Sequence, residues 1–211
     1  MAQRRSFGRL DDGRVVHAHV LGGGGALRAE VLDLGGILAR LEFAGAQGPV
    51  PLVLGLPDAA AYFADPSYQG IVVGRFGNRI GGAAFTLDGQ ACRVSANEGR
   101  NHLHGGMLGF GRRLWQVHAH DDAGLELRYH SPDGEEGYPG NLEMRAIYSI
   151  DGARLRLELE ATCDAPTPFN PTHHPYWNLA GDASVPASAQ WLKSPTRGFL
   201  PVDGELIPLG E

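Results

Sequence analysis

The chain has 211 residues, 43% of them hydrophobic and 20% charged, with a formal charge of −6. This is enough apolar material for a core, and the acidic balance argues against a nucleic-acid footprint; the basic pairs Arg4-Arg5 and Arg112-Arg113 read as solvated surface. No stretch approaches a membrane span and residues 1–12 lack the apolar run of a signal peptide, so a cytoplasmic location is expected.

The 31 glycines, about twice the usual usage, fall between short apolar runs. Short strands with glycine-rich turns indicate an all-β sandwich or barrel. Residues 15–21, 27–34 and 37–43 read as successive strands of a meander, and 50–56 as another, ended by Pro57. Residues 58–69 have room for one short helix, limited by Pro66. Residues 85–94 form a hairpin candidate, because Asp88-Gly89 suits the positive φ angles of a tight β-turn. A second hairpin joins 114–120 to 125–130, and a third joins 142–150 to 153–162. In the last strand Leu155, Leu157 and Leu159 lie on one face, with Arg154, Arg156, Glu158 and Glu160 on the other. After Gly181 the pattern weakens; 191–193 and 198–200 read as strand fragments. No linker and no internal repeat divides the chain, so 1–211 is read as a single domain.

Candidate chemistry concentrates in residues 169–181. As an extended strand, this stretch puts Asn170, Thr172, His174, Tyr176 and Asn178 on one face and His173, Pro175, Trp177 and Leu179 on the other. The first set is short, uncharged and able to hydrogen-bond, as a polyhydroxylated ligand requires. An ordinary amphipathic strand with a solvated polar face reads the same way. His17/His19 and His118/His120 lie in plain strands without a carboxylate or cysteine partner, and metal binding is not expected there. Cys92 and Cys163 lack metal-ligand spacing and read as small strand residues. Residues 97–106 are polar and bounded by glycine, which lets a ligand approach the backbone closely. The acidic connection 133–141 suits a binding rim or a solvated loop equally.

Four motifs in order resemble the aldose 1-epimerase (galactose mutarotase) family. They are Gly74-Arg75-Phe76-Gly77-Asn78-Arg79-Ile80, Asn101-His102-Leu103-His104-Gly105-Gly106, Asp133-Gly134-Glu135-Glu136-Gly137-Tyr138-Pro139-Gly140, and Asn170-Pro171-Thr172-His173-His174-Pro175-Tyr176-Trp177-Asn178-Leu179. The resemblance runs from about Val15 to the end. It implies a large β-sandwich with a sugar in an open groove, and interconversion of the α and β anomers of aldohexoses such as galactose and glucose, with no cofactor and no metal. Carried over by position, Asn78, Arg79, His104, His174 and Tyr176 line the sugar site, with His174 as the catalytic acid and His104 beside it. The resemblance also implies a glutamate base near the family's C-terminus and an upstream sugar-binding aspartate. The chain is expected to end before both, and the sandwich to be incomplete at its C-terminus.

The chemistry agrees with these residue types. Opening a hemiacetal ring needs an acid on the ring oxygen and a base on the anomeric hydroxyl, both matched to neutral pH. Of the acids that remain, Glu98, Asp133, Glu135 and Glu136, none matches the family's base; Glu136 is the first candidate for a substitute. Two alternatives stand beside the epimerase: a catalytically silent carbohydrate-binding protein of the same fold, and a metal-dependent enzyme using His102, His104 and His174.

Overall fold

The computed structural model describes residues 3–210. Two antiparallel meanders dominate it. The first contains β1 (Gln3–Arg9), β2 (Val15–Leu21), β3 (Leu27–Leu32), β4 (Leu38–Gly45) and β5 (Gly48–Pro51), in that order. A single turn of helix follows, α1 (Ala59–Ala64), capped by Asp58, whose carboxylate accepts from the Ala61 N–H at 2.8 Å and so satisfies one of the free donors of the first turn. Short strands come next: β6 (Val72–Val73), β7 (Arg79–Ile80), β8 (Ala84–Leu87), β9 (Gln90–Arg93) and β10 (His102–Leu103). The second meander contains β11 (Gln116–His120), β12 (Gly124–Ser131), β13 (Leu142–Asp151) and β14 (Arg154–Cys163). The last strand is β15 (Thr172–His173).

The predicted hairpins form as read. In the β8–β9 turn Asp88 and Gly89 both have positive φ, 50° and 80°, the geometry an Asp-Gly pair favours. The two meanders face each other across one apolar layer. Leu27, Ala29, Val31 and Leu41 from the first meet Leu125, Leu127, Met144, Ala146 and Tyr148 from the second, with Phe110 and Trp115 between. Leu155, Leu157 and Leu159 pack at its margin, half-buried, as their alternation predicts. A second cluster, on the other face of the first sheet, joins Val16, Ala18, Leu32 and Ile37 to Ala59 and Tyr62 of the helix segment.

Four expectations change. The strand read at 50–56 is β5, Gly48–Pro51, with only an isolated bridge at Val53 beyond it. Residues 3–9, not read as a strand, pair with β2. The stretch 169–181 is extended, but only Thr172 and His173 are regular strand, paired with Val73 and Val72; Pro171 and Pro175 cannot donate to a ladder. Residues 191–193 and 198–200 form no strand. Pro195 interrupts that run, no neighbouring strand accepts it among the described residues, and Trp191 stands 99% exposed. Its end is tied back through Glu205, which accepts from Asn101 and pairs with Arg100.

The connections between strands are fixed by one buried cation. Arg75 is 2% exposed. Its guanidinium donates to Ser131 Oγ and O, to the carbonyls of Pro132, Pro139 and Gly140, and to Thr167 Oγ1, at 2.8 to 3.3 Å. Beside it the chain approaches itself closely: a Cβ on Gly105 would sit 1.7 Å from the Gly74 carbonyl oxygen. No helix among the described residues is long and apolar enough to cross a membrane.

Gly105→Ala, which adds left-handed strain at φ +87° to that overlap, is expected to destabilise by about 3 kcal/mol or more. Gly134→Ala, where φ is +78° but a Cβ meets nothing within 4 Å, should cost only roughly 1–2 kcal/mol. Urea unfolding of both variants checks the contrast. Arg75→Lys removes the planar fork while keeping the charge, and should still lose about 3 kcal/mol. Hydrogen exchange should show lost protection centred on residues 131–140.

Candidate active site

Two short strand pairs carry the predicted residues to one place. β7 pairs with β10, setting Arg79 opposite Leu103. The chain then turns at His104, whose φ is 51°. His104 and Asn78 bind each other reciprocally: the His104 N–H donates to the Asn78 carbonyl at 3.1 Å, and the Asn78 N–H donates to His104 Nδ1 at 3.0 Å. A ring that accepts at Nδ1 carries its neutral-state proton on Nε2. His174 follows β15 and is held by backbone bonds to Ile71 and Gly70. The two rings meet edge to face with centroids 5.3 Å apart. Among the described residues no hydrogen bond reaches the His174 ring, whereas rings surround it: Tyr176 at 5.5 Å and Tyr68 at 6.3 Å.

Arg79 grips Glu98 with Nε and Nη2 at 2.6 and 2.5 Å, and its Nη1 donates to Asn78 Oδ1 at 3.2 Å. The structure thus brings together all five predicted residues, with Arg79, His104 and His174 half-buried and Asn78 and Tyr176 exposed beside them. Asn178, expected on the same face, is buried. A larger cavity of about 520 Å³ lies elsewhere, on the first sheet around Arg5, Glu30 and Arg40.

Sequence reading missed Tyr68 and Asn97. Tyr68 packs its ring on His104 at 4.8 Å from an irregular segment without periodicity. Asn97 holds the loop by donating to the Leu103 and Gly106 carbonyls and accepting from the Leu103 N–H. Only its place in a polar, glycine-bounded run marked it.

The acidic loop is not a free rim. Glu136 accepts from Ser95 Oγ and from the Met107 and Leu108 N–H groups. Its burial would raise the carboxyl pKa, but these donors outweigh burial and hold it below the ordinary range, so its role is to pin the 104–108 loop and it is no substitute base. Glu135 accepts from Tyr129 and Ser131 and pairs with Arg113, and Asp133 accepts from the Gly140 N–H.

The other histidines need correction. His102 is fully buried, with Nδ1 against the Ser95 carbonyl at 2.7 Å and Nε2 against the Tyr138 hydroxyl at 2.6 Å. Both nitrogens are engaged, which removes His102 from the metal-site alternative. His17 and His19 do have a carboxylate neighbour, Asp33, at 3.0 and 3.9 Å. It arrives from the end of β3, which strand-local reading could not connect. No group of three or more His, Cys, Asp or Glu among the described residues has the arrangement of a metal site.

Three rings of this region are kept neutral by burial. It lowers the pKa of His102, and brings His104 and His173 down to about 4, with the charges of His174 and Arg79 adding to the effect at His104. Each folded-state value lies below the unfolded 6.5, so the native state binds fewer protons. The stability this contributes is complete above about pH 6.5 and is lost as pH falls toward 4. The melting temperature is therefore expected to decline between those values, and His173→Gln, by removing one of the titrating rings, should make that decline shallower.

Comparison with known proteins sets these features in a family. The aldose 1-epimerase family model matches residues 17–211. The galactose mutarotase of Bos taurus is 40% identical over 186 residues, 88% of this chain and 54% of that protein. The aldose 1-epimerase of Escherichia coli is 32% identical, covering 93% and 57%. The crystal structure of the aldose epimerase homologue from C. elegans superposes with a TM-score of 0.83 at 31% identity, over 92% of this chain and 60% of that one. The chain spans about half the length of the curated relatives it matches. Over that span it has the fold of the galactose mutarotase-like sandwich, and it belongs to the aldose 1-epimerase family.

Proposed function

We propose that the protein is a mutarotase that interconverts the α and β anomers of aldohexoses such as galactose and glucose. The same reading treats 1–211 as one sandwich domain carrying the acid side of the site. The observation that supports it most is the meeting of His104 and His174, 5.3 Å apart, beside Asn78 and the Arg79–Glu98 pair.

The roles divide by protonation. His104 is neutral at pH 7 and presents Nε2–H, so it is a hydrogen-bond donor to a sugar oxygen and not the acid. His174, whose ring makes no hydrogen bond among the described residues, is the group that delivers a proton to the ring oxygen as imidazolium. Asn78 and the remaining Arg79 donors hold hydroxyls, and the Tyr176 ring faces the apolar side of the pyranose. Rotation about one bond and reclosure complete the inversion, with no electron transfer. The anomeric hydroxyl needs a proton acceptor. The four carboxylates considered are all engaged: Glu98 by Arg79, Asp133 by the Gly140 N–H, Glu135 by Tyr129, Ser131 and Arg113, and Glu136 by Ser95 and the Met107 and Leu108 N–H groups. That engagement favours the second reading, a sugar-binding chain without turnover. The free cysteines Cys92 and Cys163 fit the reducing conditions of a cytoplasmic location.

Polarimetry of α-galactose is expected to show mutarotation above the spontaneous rate, and His174→Gln is expected to lower that catalysis on the order of a hundredfold or more. Calorimetric binding of galactose without excess rate would establish the silent reading; neither binding nor rate would overturn both. Arg79→Ala should weaken galactose binding by a few kcal/mol, since it leaves Glu98 unpaired at the floor. A large fall in melting temperature with unchanged affinity would instead make Arg79 purely structural.

A further inference from the structure

Three rings meet in the candidate site, and the third comes from outside the four motifs. The centroids of Tyr68, His104 and His174 form a closed triangle with sides of 4.8, 5.3 and 6.3 Å. No hydrogen bond joins the two imidazoles among the described residues, so packing sets their spacing and angle. Tyr176 packs on His174; the half-buried Tyr68 is the ring that both imidazoles share.

The Tyr68 backbone is held in an unfavourable state. Its φ is 60°, which suits glycine and persists elsewhere only where the surroundings over-determine it. Asp65 supplies part of that constraint: its carboxylate accepts from the Ser67 N–H, the Ser67 hydroxyl and the Gln69 N–H at 2.7 to 2.9 Å. Arg112 supplies another part. Its sequence position reads as solvated surface, yet it is half-buried. Its guanidinium donates to the carbonyls of Phe63 and Asp65, at the end of α1, and of Met107, in the loop after His104, at 2.8 to 2.9 Å. The same group stands 5.9 Å from the Tyr68 ring centroid. One side chain thus ties the segment that carries Tyr68 to the loop that carries His104. The His174 side is tied as well, because the Gly70 N–H donates to the His174 carbonyl at 2.8 Å and the Tyr176 hydroxyl to the Ser67 carbonyl at 3.1 Å.

The ring matters here more than the hydroxyl. The hydroxyl has one long contact, from Asn97 Nδ2 at 3.4 Å, and that amide has closer acceptors at Leu103 and Gly106. Burial pushes the hydroxyl pKa up, so Tyr68 keeps its proton at neutral pH and is no base.

We propose that Tyr68 is a positioning residue: its ring sets the spacing and angle of the His104–His174 pair, and Arg112 holds that ring against the His104 loop. Its consequence for turnover rests on the mutarotase reading; its effect on the two rings does not. One pyranose must meet the His104 donor and the His174 acid together, and a misplacement of about 1 Å can cost roughly a hundredfold in rate.

Proton NMR of the imidazoles and galactose mutarotation, measured on the same variants, test this. Tyr68→Phe should keep the nuclear Overhauser contact between the His104 and His174 ring protons, and turnover within about twofold of the parent. Tyr68→Leu should weaken that contact and lower kcat about tenfold or more, with KM changed less. Arg112→Lys keeps the charge but loses the planar fork, and should show both effects in smaller measure. It decides on the same readouts should the leucine variant not fold. A parental ring-to-ring contact in Tyr68→Leu, or a phenylalanine variant as impaired as the leucine one, would overturn the proposal. So would a lower melting temperature with parental kcat and KM, which makes Tyr68 a packing residue alone. A parent chain without excess rate sinks the mutarotase reading by itself, and the ring-to-ring contact then decides the role of Tyr68.

Discussion

The buried guanidinium of Arg75 is the constraint on which the connections of this fold depend. It reaches the end of β12, both sides of the loop that follows, and the segment leading to β15. A buried cation is costly unless its donors are met, and here they are met by atoms from chain segments far apart in sequence. Misplacing any one of those segments strands a donor. The guanidinium therefore contributes less as an attraction than as a condition on the arrangement. Glu135 joins the same arrangement by accepting from Ser131, which itself accepts from Arg75. The acidic loop is polar because it faces this network.

Holding the loops has a direct effect on the site. His104 and His174 end two separate two-stranded pairs, neither of which is long enough to be rigid alone. Glu136 ties the 104–108 loop to the 133–140 loop, and that loop is tied to Arg75. The Tyr68 ring then fills the space beside both histidines. The imidazoles are positioned by packing and backbone bonds, and among the described residues the His174 ring nitrogens have no hydrogen-bond partner.

Local patterns were legible where local physics decides them. Asp88-Gly89 turned as read, residues 58–69 held the one short helix they had room for, and the alternation of β14 placed its leucines inward. The five predicted residues came together because their motifs sit on or beside the short paired strands β7, β10, β6 and β15. What stayed hidden depends on distant chain. The β1 strand has little apolar alternation, since it lies on an edge and most of it is exposed. Asp33 reaches His17 and His19 from another strand. The carboxylates of 133–136 suit a rim or a solvated loop equally in sequence, and are consumed by donors that only the fold supplies. The polar face of 169–181 reads as one strand, while two prolines confine its regular pairing to two residues.

The ring of His104 divides its work between two nitrogens. Nδ1 accepts a backbone N–H and shapes the loop, which leaves the neutral ring's proton on Nε2. An asparagine amide ends near the place of Nδ1 and a glutamine amide near that of Nε2. His104→Asn thus preserves the loop and deletes the donor, whereas His104→Gln offers the donor and loosens the turn. If His104 donates to a sugar as proposed, one position has two separable duties, and the identity of the amide tells whether architecture or recognition was lost.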